Sequence, residues 1–338
     1  MEILNKLLDK NALSGLIERF GKEGKEVYAP VKENGIIDFA KINSIDKIDF
    51  ECIATKQSAK SLVFPKVEKI LSFEKSFDDI SVKNVDISSF PEVVALGTRP
   101  CDAAGMIPLD AIFSTDYKDE IFNARLKKLT VISISCKKAD EYCFCTSVNG
   151  NPGNTAGSDI LLTAISDSAY FAEIVTEKGK AILDANADLF KDTDAFDKKP
   201  HLAEVKQEFT AEAINEKLNN LFDSDIWDKQ AMRCVGCGAC AFVCPACGCF
   251  DIQDENKGRK GVRYRCWDSC GFGLFTLHTS GHNPREKQSQ RWRQRIFHKF
   301  SYQMVQQKQF GCVGCGRCSR TCPADMNIAE HLKEISVN

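Results

Sequence analysis

Cys234-Val-Gly-Cys237-Gly-Ala-Cys240-Ala-Phe-Val-Cys244-Pro245 is met twice in this chain, the second time as Cys312-Val-Gly-Cys315-Gly-Arg-Cys318-Ser-Arg-Thr-Cys322-Pro323. Both runs read C-x₂-C-x₂-C-x₃-C-P. Three cysteines set two residues apart can wrap one short turn around one face of an iron–sulfur cubane. Gly236, Gly238, Gly314 and Gly316 let the backbone approach closely and turn through positive φ. The fourth cysteine lies about one helical turn further on, and the proline ends the local geometry.

Two copies of this run are the ligand pattern of a two-cluster ferredoxin, in which the fourth cysteine of each run ligates the other cluster. The expected assignment is therefore crossed. Cluster 1 takes Cys234, Cys237, Cys240 and Cys322; cluster 2 takes Cys312, Cys315, Cys318 and Cys244. A structural zinc site is the competing chemistry. It usually pairs two C-x₂-C units or adds histidines, and the five histidines here show no ligand spacing.

The stretch between the runs, residues 245–311, is too long for the compact two-hairpin ferredoxin. Pro284 to Gln309 places Trp292, Ile296, Phe297, Phe300 and Met304 at amphipathic helical spacing. This favours a mostly helical ferredoxin-like domain over residues 225–338, closed by a helix from Ala324 to Ile335. The insert carries four further cysteines, Cys247, Cys249, Cys266 and Cys270, read either as an additional metal site or as small buried residues beside the clusters.

Residues 1–224 read as a mixed α/β domain. Leu4, Leu7, Leu8, Leu16, Ile17 and Phe20 follow an approximately helical spacing. Lys32-Glu33-Asn34-Gly35 between two apolar runs signals a hairpin. Val93-Val94-Ala95-Leu96-Gly97 and Leu129-Thr130-Val131-Ile132-Ser133-Ile134 read as buried strands, with helices between them over 102–113 and 117–128, the pattern of a parallel sheet. Cys101 and Cys136 follow these strands, and Cys143 and Cys145 lie on the loop after Cys136. If the strands are parallel, Cys101 and Cys136 leave the same carboxyl edge of the sheet, where open α/β folds bind ligands, and the loop could bring Cys143 and Cys145 to the same point. The four are candidates for a third iron–sulfur cluster; the plain alternative is a redox-inert loop. Cys52 reads as a core residue of a strand.

Of the 338 residues, 43% are hydrophobic and 27% charged, values of an ordinary soluble protein. A formal net charge of −2 gives no general attraction to nucleic acid. No apolar run reaches a membrane span, and the charged N-terminus does not read as a signal peptide, so a cytoplasmic location is expected. The 17 cysteines, clustered rather than dispersed, then point to metal rather than disulfides. The basic stretch Arg285, Lys287, Arg291, Arg293, Arg295, His298 and Lys299 suits a solvated helix face, an acidic partner, or tuning of a cluster by nearby positive charge. No dinucleotide fingerprint, P-loop or nucleophile elbow is present.

Arg99-Pro100-Cys101-Asp102-Ala103-Ala104, Cys143-Phe144-Cys145-Thr146-Ser147, Cys244-Pro-x-Cys247-x-Cys249-Phe250, Trp267-x-Ser269-Cys270 and Gly281-His282-Asn283-Pro284-Arg285 follow one another in this order. As a set they resemble the iron–sulfur β subunit of cytoplasmic NiFe sulfhydrogenases and the A subunit of anaerobic sulfite reductase. Cys266 stands outside that pattern. The resemblance covers the chain from about Pro91 onward. It implies an electron-transfer subunit of a hetero-oligomeric anaerobic oxidoreductase, beside a flavoprotein that handles a nicotinamide nucleotide and a subunit with a NiFe or siroheme centre. Two other functions stay open: a self-contained flavin-dependent iron–sulfur enzyme, marked by stoichiometric flavin in the lone chain, and a zinc scaffold, marked by zinc without acid-labile sulfide.

Overall fold

A computed structural model describes residues 2–337. Twelve strands form two sheets among the described residues. They are β1 (Leu4–Asp9), β2 (Glu26–Glu33), β3 (Ile36–Ile42), β4 (Val67–Lys75), β5 (Ile80–Asn84), β6 (Val93–Thr98), β7 (Leu129–Ile134), β8 (Ile160–Ala164), β9 (Ala169–Ile174), β10 (Phe190–Asp192), β11 (Phe250–Lys257) and β12 (Lys260–Trp267). The large sheet runs β10-β1-β9-β8-β7-β6-β2-β3. Its centre, β2, β6, β7 and β8, is parallel, and both edges are antiparallel.

Parallel strands covered on both faces need apolar residues on both, and β6 and β7 supply them. Val94, Leu96, Ile132 and Ile134 face a core shared with Leu13, Leu16, Ile17 and Phe20 of α1 (Lys10–Lys22). Ala95, Leu129 and Val131 face a second core, with Ala103, Met106, Leu109 and Phe113 of α2 (Pro100–Ser114) and Phe122 of α3 (Glu120–Lys128). The expected hairpin is β2–β3, with Asn34 and Gly35 both at positive φ. The N-terminal leucines depart from expectation. Leu4, Leu7 and Leu8 lie on β1, paired between β9 and β10, and the helix begins only at Lys10. Pairing with β9 on one edge and β10 on the other outweighs the local helical spacing of these leucines. Cys52 is buried as expected, but on an irregular segment, not a strand.

The remaining helices are α4 (Glu177–Ala185), α5 (Ala211–Leu218), α6 (Ile226–Ala231), α7 (Ala239–Phe242), α8 (Gln288–Phe297), α9 (Gln303–Gln307), α10 (Arg317–Arg320) and α11 (Ile328–Val337). A π turn, His298–Tyr302, joins α8 to α9. A third core packs Ala211, Ile214 and Leu218 of α5 against Trp292, Ile296, Phe300, Ile328, Leu332 and Ile335.

The insert is not helical throughout. Its first part is the β11–β12 hairpin, turned at Gly258-Arg259, and β12 pairs with β4 of the N-terminal half to make the second sheet, β11-β12-β4-β5. Arg265 of β12 is buried in ion pairs with Glu68 and Asp119, and Arg125 reaches the same Glu68 at 2.7 Å.

A second tie brings α2 against the first cysteine run. A Cβ on Gly105 would stand 2.5 Å from Cβ of Pro245. Alanine is the better helix former, yet Gly105→Ala should destabilise by about 1–3 kcal/mol, because the helix must move off the proline. A thermal midpoint equal to or above wild type would contradict this contact.

Candidate iron–sulfur sites

The two runs fold alike. Gly236 and Gly238 take φ of +67° and +73°, and Gly314 and Gly316 take +64° and +69°, so α7 and α10 each start from a left-handed glycine. A Cβ at Gly238 would strike the Phe272 ring at 2.4 Å; at Gly316 it would strike the Tyr142 carbonyl at 2.4 Å. Both loops are therefore pressed against protein on their outer side. The two short helices pack on each other.

Cys234, Cys237 and Cys240 of the first run, Cys318 and Cys322 of the second, and Cys270 line one cavity, closed by Trp292, Arg295 and Ile328. The second run thus brings its last two cysteines, Cys318 and Cys322, to the first run's cavity. The Gln288 amide donates to Sγ of Cys234 at 3.1 Å. Cys237 is the exposed member, while burial pushes the Cys240 thiol up to about 12.

Cys312, Cys315 and Cys318 hold the second loop, where burial pushes Cys312 up to about 12. Lys299 connects this loop to the first run. Its ammonium lies 3.4 Å from Sγ of Cys244, donates to the Gly311 carbonyl at 2.6 Å, and acts electrostatically on Cys312. The basic stretch is therefore divided. Arg295 and Lys299 are 4% and 3% exposed, turned inward onto sulfur rather than solvated. Arg295 donates to the Cys240 carbonyl at 2.9 Å, approaches Sγ of Cys247 at 3.7 Å, and leaves Nε without a partner. Lys60, also buried, donates to the Cys247 carbonyl at 3.0 Å. None of these three cations has a carboxylate within ion-pair distance among the described residues, and a buried charge needs an opposite one. Thiolates of a bound cluster are the neighbouring groups able to supply it, so the residues present fit iron–sulfur ligation.

Of the insert cysteines, Cys247, Cys249 and Cys270 gather beside Cys244. The Cys244 thiol donates to Cys247, raising Cys244 and lowering Cys247; Cys249 donates to Cys270, raising Cys249 and lowering Cys270 to about 7. Cys266 does not join them. It sits on β12 opposite Asp251, with Asp251 and Glu255 as its charged neighbours. The alternation of a strand sets which face it takes, and the expected additional site loses this member.

The N-terminal cysteines do converge. Cys101 opens α2 after β6; Cys136 follows β7; Cys143 and Cys145 lie on the loop beyond. Cys136 acts electrostatically on both Cys101 and Cys145, and Cys143 on Cys136 and Cys145. Burial holds the Cys136 thiol at about 11 and Cys145 at about 12. Arginines surround them. Arg320 donates to Sγ of Cys143 at 3.1 Å and chelates Asp140 through two bonds of 2.6 Å. Sequence reasoning missed Arg317 and Arg320, although both stand inside the second run, one just before and one after its third cysteine.

A family model described as a 4Fe–4S dicluster domain matches residues 233–326. Two 4Fe–4S clusters follow from it. Sulfhydrogenase 2 subunit beta of Pyrococcus furiosus is 30% identical over 322 residues, which cover 93% of this chain and 93% of that protein. No solved structure matches. With matching cysteine runs, a shared cavity built from both, and this full-length similarity, the chain belongs to the sulfhydrogenase β-subunit family of iron–sulfur electron-transfer proteins.

Proposed function

We propose that this chain is the electron-relay subunit of a sulfhydrogenase-like complex, placed between a flavoprotein that handles a nicotinamide nucleotide and a subunit with the catalytic metal centre. The observation that carries this reading is the cavity that Cys234, Cys237 and Cys240 of the first run share with Cys318 and Cys322 of the second. It supports the crossed assignment, with Cys312, Cys315, Cys318 and Cys244 as the second set. A 4Fe–4S cluster supplies one-electron acceptance and donation when bound. The protein's part is to hold and tune. The buried Arg295 and Lys299 and the Gln288 amide favour added negative charge on nearby sulfur, which raises potential. Exposed Cys237, with Met232 and Val235 open on the same loop, is the point of nearest approach for a redox partner at the first site. No helix among the described residues is long and apolar enough to cross a membrane.

The test uses anaerobically purified complex. Cys237→Ala or Cys315→Ala should lower the chain's iron and reduce electron passage between flavoprotein and catalytic subunit by about a hundredfold or more, an effect of roughly 3 kcal/mol on the rate-limiting step. Each partner's activity with artificial carriers should persist. Wild-type turnover by both variants would refute the relay.

A further inference from the structure

We propose that Cys101, Cys136, Cys143 and Cys145 hold a third 4Fe–4S cluster, at the carboxyl edge of the parallel strands and against the second ferredoxin-type loop. This goes beyond the two clusters of the dicluster domain, whose match begins at residue 233 and contains none of the four cysteines.

The four thiols arrive from separate elements. Strands β6 and β7 are parallel neighbours, so the chain leaves both at one edge, carrying Cys101 on the first turn of α2 and Cys136 just past β7. The loop after Cys136 returns Cys143 and Cys145 to the same place, and it is held there by the second cysteine run. The Phe144 amide donates to the Gly314 carbonyl at 2.9 Å. A Cβ on Gly314 would stand 2.5 Å from the Cys145 backbone. The site is thus built by the fold, not by a mobile loop.

The surrounding charge calls for an anion. Arg99 is 5% exposed and donates to the carbonyls of Phe50, Cys52 and Ser135, yet has no carboxylate within ion-pair distance among the described residues. Its Nε has no partner at all. Arg317, 2% exposed, spends one nitrogen on Asp102, and its Nη1 is also unpartnered. Buried guanidinium N–H groups without acceptors are costly. Four thiolates around an iron–sulfur cubane carry net negative charge and would answer both. Each thiol gives up its proton as its sulfur bonds to iron.

The experiment measures iron, acid-labile sulfide and zinc per chain in the anaerobically purified full-length protein, with EPR after dithionite reduction. Cys143→Ser/Cys145→Ser should lose about four irons and four sulfides per chain, while the reduced signals of the remaining clusters persist. Iron equal to wild type overturns the proposal, as does stoichiometric zinc in wild type that the variant loses. The loop also packs on Gly314, so Cys136→Ala provides a second reading away from that contact. If the double variant loses all its iron, a loss of about four irons in Cys136→Ala supports the site, and an unchanged content overturns it. Wild-type protein with no iron would instead defeat the two-cluster reading, a result distinct from either.

Discussion

Arg317→Met should cost about 3–5 kcal/mol of stability, because it strands a buried carboxylate. Arg317 and Asp102 are 2% and 1% exposed and meet at 2.7 Å. Arg317 also donates to the Thr55 carbonyl at 2.9 Å and to Thr55 Oγ1 at 3.0 Å. One side chain from the second cysteine run thereby ties α2 and the irregular 50–60 segment to the C-terminal region. Methionine keeps the stem but none of the donors, and Asp102 is left charged and dry. Adding Asp102→Asn removes that charge, so the double variant should regain part of the loss. Anaerobic urea unfolding of the four members of this cycle measures the coupling. Iron content read on the same samples separates a lost ion pair from a lost cluster. A single-variant loss below about 1 kcal/mol would place this pair with exposed bridges, contrary to its burial.

The same arginine shows where the sequence was legible and where it was not. Cysteine runs declare themselves because the ligand spacing is local: Cys234 to Cys244 and Cys312 to Cys322 contain nearly all the geometry they need. The proposed crossing of Cys322 into the first site rests on the duplicated motif too. Strands β6 and β7 were readable as apolar runs buried on both faces. What surrounds the sulfur was not readable. Arg317 and Arg320 look like ordinary helix-surface residues until α10 is placed against Asp102 and Asp140, at separations of 215 and 180 residues in the chain. Arg295 and Lys299 sit in a run that suits a solvated face, an acidic partner or the tuning of a cluster alike, and only packing picks out these two as the ones turned inward. The β11–β12 hairpin carried a local signal in Asn256-Lys257-Gly258-Arg259, between alternating residues. Its partner β4 lies in the other half of the sequence, and sheet completion across that distance has no local mark. The exclusion of Cys266 follows from the same hairpin.

Iron removal should separate the two halves of the molecule. Cys234, Cys312, Cys318 and Cys322 pack directly on the core of Trp292, Ile296, Phe300 and Leu332, so stripping the clusters by anaerobic chelation leaves that core facing unfilled space and uncompensated Arg295 and Lys299. Amide exchange of α8 and α11 should speed up by at least about tenfold, while β6 and β7, between two apolar cores of their own, keep their protection. Uniform protection in both regions would show that the clusters are not structural. Above about pH 9, where the lowered Cys247 and Cys270 have lost their protons in both states, the stripped chain should also respond to pH in one direction. Burial holds Cys136 at about 11 and Cys145, Cys240 and Cys312 at about 12, against an ordinary thiol value of 9.0. Between these values the unfolded chain has released protons that the fold retains, so it binds fewer, and stability falls as pH rises. The contribution is whole below about pH 8 and declines from pH 9 upward. The urea midpoint of the metal-free protein should accordingly be lower at about pH 10.5 than at about pH 9.5, and a higher one would mean the thiols are not buried as neutral groups. Ligation reverses the sign: each sulfur must shed its proton to bind iron, so reassembly of the clusters should strengthen over the same interval in which the empty fold weakens.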